Sequence, residues 1–256
     1  MEENVFHKFE VAKRVILVTG TLYTMVTQSE RVRAELAKRT IKDAHENGFE
    51  IIVLDSGSPK ELLSEFANFG AIVKNSQYQG MGPGRREAIF SAYEKEKEVI
   101  VWIEPEKYTI IPELVKIVEP ILYDSADFVI PRRISLASYP KAQQYTEPFG
   151  NAYFRELTGW DLDVFFGPRV FKSAMAKYFC SYDGKYWDKW DAIFVPLLDA
   201  IHEGRRLLSV NVDYTHPREQ TEIEEHDLRF YRKRLFQLEN IMKSMGDHWL
   251  ELEKKG

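Results

Sequence analysis

The chain has little cysteine and no long apolar segment, and both absences restrict the classes of protein to which it can belong. Cys180 is the only cysteine among 256 residues, so an intrachain disulfide is excluded and a reducing compartment is expected. The first ten residues are charged and contain no apolar stretch of the kind found in secretory signals. No apolar run approaches the roughly 20 residues needed to cross a bilayer. We therefore expect a cytoplasmic protein without a transmembrane segment.

The sequence also lacks an excess of one charge. It has 35 Lys and Arg against 40 Asp and Glu, which gives a formal net charge of -5. This balance gives no reason to expect nucleic acid or an anionic membrane as partner. Apolar residues make up 44% of the chain and no linker or internal repeat interrupts it. We therefore expect a single domain over residues 1–256, with parts at 14–131, 132–226 and 227–256.

The first part alternates buried strands with amphipathic helices. Continuous apolar runs at 14–19, 49–54 and 99–103 are typical of strands that are buried on both faces. Thr27 and Glu30 form a capping-box pattern at the start of the helix between the first two runs. This alternation predicts an α/β fold with a Rossmann-like, mostly parallel sheet flanked by helices.

The second part is richer in turns, and its elements are predicted more coarsely. Residues 134–150 are polar and turn-like, and residues 163–169 are expected to form a strand followed by a turn. Amphipathic patterns predict helices over 188–203 and 227–245, with a strand at 207–214 between them. We interpret this half as the side of the domain that binds a second substrate.

Ligands of parallel α/β sheets bind where the strands end, and several polar residues lie there. Thr19, Asp55 and Lys74 end or follow the first three strands, and we expect them to bind a nucleotide. Asp55 could instead bond to the backbone of its own turn. Gly84, Arg85 and Arg86 belong to a glycine-bearing loop before a helix. Such loops let the backbone approach a diphosphate, and the helix terminus and arginines supply positive charge.

Three motifs, in this order, resemble the GT-A nucleotide-sugar glycosyltransferases, especially the family 2 and mannosylglycerate-synthase-like groups. The Asp-Ser-Gly-Ser turn at 55–58 resembles the turn after the second strand of that family, and 80–89 resembles its glycine loop. The acidic pair Glu104 and Glu106 follows a strand where the family has Asp-x-Asp. The segments 156–171 and 189–212 resemble its acceptor side, so the similarity spans roughly residues 14 to 220. It implies a GT-A-type fold in which 14–131 binds the nucleotide-sugar and 132–226 the acceptor.

The resemblance also implies roles for single residues. Asp191 would act on the sugar or as the base that takes the proton of the acceptor hydroxyl, although a helix-start aspartate is an alternative. His216 would join Glu104 and Glu106 in binding a divalent metal, Mn or Mg, which neutralises the diphosphate. Apart from the resemblance, Arg132 and Arg133 follow the fifth strand and could bind an acidic acceptor, although paired arginines are also common on surfaces. Arg218, two residues after His216, could face the acceptor or the same phosphates.

Several alternatives remain open at this point. Glutamate replaces aspartate in the metal motif and Pro105 stiffens it, which leaves metal dependence open. A sugar-phosphate nucleotidyltransferase is a second hypothesis, although the first strand lacks the glycine-arginine loop of that class. A degenerate GT-A protein that only binds a nucleotide is a third. The expected partners are a UDP- or GDP-sugar and a small polar acceptor, with homo-oligomerisation undecided.

Overall fold

The computed structural model describes the backbone of residues 2–255 and side chains from Phe6 onward. Its centre is a seven-stranded sheet with the order β3-β2-β1-β4-β6-β5-β7. The strands are β1 (Val15–Thr21), β2 (Glu50–Asp55), β3 (Ala71–Asn75), β4 (Val99–Trp102), β5 (Phe128–Arg133), β6 (Arg169–Lys172) and β7 (Leu207–Val212). All neighbouring strands run parallel except β6, which is antiparallel to both β4 and β5. The predicted fold class, an α/β fold with a mostly parallel sheet, is confirmed.

Helices cover both faces of this sheet. They are α1 (Glu2–Lys13), α2 (Gln28–Glu46), α3 (Lys60–Asn68), α4 (Met81–Tyr93), α5 (Leu114–Leu122), α6 (Lys141–Thr158), α7 (Ala176–Cys180), α8 (Val195–His202), α9 (Arg218–Glu224) and α10 (Leu228–Glu253). The capping box before α2 is present: the Thr27 side chain accepts from the Glu30 amide, and the Glu30 side chain accepts from the Thr27 amide. None of the helices within residues 2–255 is long and apolar enough to cross a membrane.

The two faces of the sheet carry separate parts of the core because side chains alternate along each strand. Leu17, Ile51 and Val101 pack with α2 and α5 on one face. Ile16 and Ile52 pack with α4, α8 and α10 on the other. Residues 15–18 are fully buried, as the continuous apolar run of β1 predicted. This burial leaves Thr21 and Asp55 at the carboxyl ends of β1 and β2.

The second half of the chain corrects three sequence predictions. Residues 164–166 form a 3₁₀ turn and the strand follows at 169–172, the reverse of the predicted order. The chain turns at Gly167, whose φ of 104° is a left-handed conformation that glycine adopts without strain. Helix α6 begins at Lys141, inside the stretch expected to be turns, and α8 begins at Val195 instead of residue 188. In α6, burial of one face outweighs the local turn composition. Before α8, residues 190–193 form a 3₁₀ turn instead of an α-helix.

Candidate functional site

A cavity of about 530 Å³ opens where the central strands end. This volume is within the range of small-molecule sites, about 300–1,000 Å³. One side is formed by the ends of β1 and β2 and by the first two turns of α4, and includes Gly20, Ser56 and Arg85. We call this the donor side. Gly84, Arg85 and Arg86 lie inside α4, which begins at Met81, and not in a loop before the helix as predicted. The opposite side, which we call the acceptor side, is formed by α6, the segment after β7 and α10, and includes Gln143 and His216.

Arg85 is the predicted arginine that faces the cavity. Its guanidinium is buried, donates to the Lys189 carbonyl over 2.5 Å and lies 5.6 Å from the centre of the Trp102 ring. Burial lowers the pKa of Arg85 to about 10, and the negative charge of Glu104 opposes that shift. Arg85 therefore stays charged at neutral pH. Gly84, one residue earlier, also lines the cavity.

Arg86 points away from the cavity. It makes a two-pronged ion pair with Asp188, with distances of 2.5 and 2.9 Å between guanidinium nitrogens and carboxylate oxygens. Asp188 has a φ of 55°, and its carbonyl accepts from the Gly82 amide at the start of α4. Arg86 thus ties the loop before α8 to the first turn of α4, a structural task that leaves its charge compensated.

The three residues predicted at the strand ends do not line the cavity. The Asp55 carboxylate accepts from the amides of Gly57 and Ser58 and from the hydroxyls of Thr21 and Ser58, at 2.5–2.8 Å. Its bonds are those of a turn, which was the alternative interpretation. Thr19 is buried inside β1. Lys74 forms a surface ion pair with Glu94 at 3.7 Å.

The predicted metal residues Glu104, Glu106 and His216 all line the cavity. However, within residues 2–255 no group of three or more His, Cys, Asp and Glu side chains is placed to hold a metal. Glu106 Oε1 accepts from the Tyr23 hydroxyl and pairs with Arg33 Nε, both at 2.9 Å. The predicted trio is therefore not assembled, because Arg33 holds one of its carboxylates.

Glu104 and His216 differ in how they are satisfied. Glu104 Oε2 is buried without a hydrogen-bond partner, and its carboxylate lies where a Cβ on Gly167 would be, 1.8 Å from Oε1. His216 Nδ1 is 2.8 Å from the Thr221 hydroxyl. Burial lowers the pKa of His216 to about 2, with help from the positive charge of Lys107, so the ring is neutral. A neutral imidazole and an unpaired carboxylate are chemically suited to a metal ion.

Asp191 is placed differently from the prediction. Its carboxylate is fully buried and is not part of the cavity wall. Oδ1 accepts from the Lys189 amide at 2.7 Å, and Oδ2 accepts from the Tyr182 hydroxyl and from the amides of Trp187 and Asp188 at 2.5–3.3 Å. These donors fold the loop around the carboxylate. The contacts contradict a base that faces an acceptor and assign Asp191 to the loop.

The three arginines predicted to bind the acceptor are also engaged elsewhere. Arg133 is buried between Asp163 and Glu147, and its Nη2 lies 2.7 Å from an Asp163 oxygen. Arg132 pairs with Asp161 at the surface. Arg218, whose side chain is 88% exposed, pairs with Glu222 one helical turn away. The structure brings none of the three to the cavity wall.

Other basic residues, which the sequence patterns did not single out, line the cavity. They are Arg33 of α2, Lys107 after β4, and Lys233 and Arg234 of α10. Lys107 could have been found, because it follows the end of a parallel strand. The residues on α2 and α10 had no local signal, since a basic residue on an amphipathic helix is usually solvated.

Comparison with known proteins defines the class of fold. No family model matches the chain and no curated protein sequence matches it. Solved structures do match. One described as a mycobacterial protein has a TM-score of 0.65 and 16% identity over 93% of this chain and 77% of its own. Glucosyl-3-phosphoglycerate synthase from Mycobacterium tuberculosis, with Mn²⁺, UDP-glucose and phosphoglyceric acid, has a TM-score of 0.64 and 15% identity, covering 93% and 84%.

A third structure, the same synthase with Mg²⁺ and UDP, has a TM-score of 0.58 and 16% identity, covering 93% of this chain and 83% of its own. Likeness at this level of identity concerns the fold. The chain has the fold of a GT-A nucleotide-sugar glycosyltransferase, as the resemblance predicted.

Proposed function

We propose that the chain is a nucleotide-sugar-dependent glycosyltransferase that moves a hexose to a small hydroxylated acceptor. The observation that carries the proposal is the cavity at the strand ends of a GT-A fold, with Arg85 charged in its wall. The similar-fold synthase was solved with UDP-glucose and phosphoglyceric acid, a donor and an acceptor of these kinds.

On the donor side, Arg85 and the first turn of α4 would bind the diphosphate. Gly80 has a φ of 104° and precedes α4, so the chain enters the helix without a side chain in the way. The positive end of the helix dipole attracts phosphate oxygens. The Gly82 amide already donates to the Asp188 carbonyl and Pro83 has no N–H, so Arg85 is the main donor to the diphosphate. A fixed cation there stabilises the charge that develops on the leaving diphosphate, and it does so without reorganising.

On the acceptor side, the charge of the wall favours an anion. The basic side chains lining the whole cavity are Arg33, Arg85, Lys107, Lys233 and Arg234, and the acidic ones are Glu104, Glu106 and Glu147. His216 adds no charge. The surplus is positive although the whole chain has a net charge of -5. We therefore propose a small acceptor that carries a carboxylate or a phosphate.

A divalent cation fits this cavity with Glu104 as its first protein ligand, because Oε2 of Glu104 is buried and unpartnered. Glu106 and His216 line the same wall, and the diphosphate would supply further oxygens. When bound, Mn²⁺ or Mg²⁺ would neutralise the leaving diphosphate. Glu106 would contribute only if its ion pair with Arg33 loosens.

The test is an assay of donor turnover. The protein is incubated with UDP-glucose or GDP-mannose, with Mn²⁺ or with a chelator, and with or without 3-phosphoglycerate as a probe anion. We expect slow release of UDP or GDP in water and faster release with the anion.

The other hypotheses give different products. A nucleotidyltransferase would release pyrophosphate from UTP or GTP in the presence of a sugar phosphate. A protein that only binds nucleotides would be stabilised thermally by them and release nothing, which would contradict the proposal.

A further inference from the structure

The cavity wall contains an uncharged hydrogen-bond donor that has nothing to bond to. Trp102 is the last residue of β4, is 97% buried and lines the cavity. Its Nε1 has no hydrogen-bond partner. Leaving a buried N–H unpaired is costly, so such groups usually have a partner. An indole N–H only donates, so the missing partner is an acceptor oxygen.

The position of Trp102 indicates which oxygen this is. Strand β4 is the middle strand of seven, between the strands that form the donor side and those of the second half. The tip of the indole ring lies near Gly20, where a Cβ would be 3.7 Å away. The Arg85 guanidinium lies over the ring at 5.6 Å. On this flank, Trp102 therefore adjoins the proposed diphosphate site.

The other flank of Trp102 belongs to the second half of the chain. Trp102 packs in one apolar cluster with Val164, Ile193 and Phe194, and all four residues line the cavity. In a group transfer, the transferred group lies between its leaving group and its acceptor. A side chain at the junction of the two sides therefore contacts the transferred sugar.

We propose that Trp102 is a specificity-determining residue whose indole N–H donates to a hydroxyl oxygen of the transferred sugar. The inference rests on the proposed function. Because the indole donor is neutral and fixed by packing, it distinguishes a hydroxyl in reach from a missing or inverted one. It adds nothing to the binding of the nucleoside diphosphate itself.

The experiment compares a sugar-bearing ligand with the bare diphosphate. Calorimetry measures Kd for UDP-glucose and UDP, and for GDP-mannose and GDP, in the native protein and in Trp102→Phe. Phenylalanine retains an aromatic ring and removes the N–H. We expect Trp102→Phe to weaken the sugar-bearing ligand by about 3- to 10-fold, the scale of one neutral hydrogen bond, and to leave the diphosphate unchanged.

A set of UDP-glucose analogues, each lacking one sugar hydroxyl, then locates the bond. For one analogue the native protein and Trp102→Phe should bind equally, because the partner oxygen is already absent. The control is Trp160→Phe, a partly exposed residue after α6. It should bind every ligand as the native protein does.

An independent readout is the indole region of a ¹⁵N NMR spectrum, in which the five tryptophans each give one N–H signal. The signal lost in Trp102→Phe should move further with UDP-glucose than with UDP. Equal weakening of UDP and UDP-glucose, or equal signal shifts, would place the contact on the diphosphate and overturn the inference. If the native protein binds neither UDP-glucose nor GDP-mannose, both the proposed function and the inference about Trp102 are wrong.

Discussion

The turn after β2, next to the donor side, and the buried arginine of β5, in the second half of the molecule, are held by bonds of different range. Asp55 bonds to Gly57 and Ser58, two and three residues away, and so fixes the turn after β2. Arg133 of β5 bonds to Asp163, thirty residues away. Short-range bonds fix the turn after β2, while long-range ion pairs, Arg133 with Asp163 and Arg86 with Asp188, decide which charges near the cavity are compensated.

This difference separates structural from functional cations. Arg86 has one carboxylate partner and Arg133 has two, so the charge of each arginine is compensated. Arg85 bonds only to a carbonyl, and the negative charges of Glu104 and Asp191 act on it without a direct ion pair. An arginine without a carboxylate partner can bind an anionic ligand. Substitutions of single residues therefore test which arginines are structural and which bind the ligand.

The largest expected effect is the loss of stability when Arg133 is replaced. Arg133→Met should lower the free energy of unfolding by about 3–5 kcal/mol, because it leaves Asp163 and Glu147 buried without their cation. The matched control is Arg132→Met on the same strand, where loss of the surface pair with Asp161 should cost about 0–1 kcal/mol. Urea unfolding measures both. Similar values for the two variants would mean that Arg133 is not the fixed centre of a buried network.

The next largest expected effect is the loss of stability when Asp191, in the loop before α8, is replaced. Asp191→Asn should lower the free energy of unfolding by roughly 1.5–3 kcal/mol, because amide hydrogens replace an oxygen that accepts several bonds. Hydrogen exchange should be faster over residues 182–190. If stability and exchange stay native while turnover is lost, the loop assignment is wrong and the predicted role of Asp191 as a base returns.

On the donor side, neighbouring arginines should behave differently. Arg85→Ala should weaken UDP or GDP binding by about 1.5–3 kcal/mol, the scale of a charge-assisted hydrogen bond. Arg86→Ala should leave nucleotide affinity near native and lower stability instead, because it releases Asp188. Calorimetry and thermal unfolding on both variants make the comparison. Equal losses of affinity would show that the start of α4 binds phosphate with both side chains.

The smallest expected effect is on the rate of alkylation of Cys180, which lies at a contact between the two halves of the chain. Cys180 ends α7, and its Sγ lies 3.9 Å from the Arg86 carbonyl of α4. Burial raises the pKa of the thiol to about 11, so roughly one thiol in a thousand is ionised at pH 8. Alkylation by iodoacetamide should be slow at pH 8, faster as the pH rises towards 11, and fast in urea. Rapid reaction of the native protein at pH 8 would mean that this contact opens.

How far the site could be predicted differs between its residues. The cavity at the strand ends and the positions of Gly84, Arg85, Glu104, Glu106 and His216 in its wall agree with the sequence prediction. These residues follow strands or begin a helix, and topology brings such positions to one edge. Lys74 and Arg218 do not line the cavity, because the end of an element does not fix where a long side chain points. Their nearest opposite charges are on the surface.

The sequence by itself determined the α/β class, the parallel strands β1 to β4 and the capping box of α2. Each of these depends on local periodicity or on pairs within one helical turn, which are visible in the order of residues. Only the tertiary structure decided that Arg33 pairs with Glu106 and that the Trp102 indole faces the cavity unpaired. Such outcomes depend on packing between segments far apart in the chain. The energy of a buried charge or donor is set by those neighbours, because water no longer screens or satisfies it.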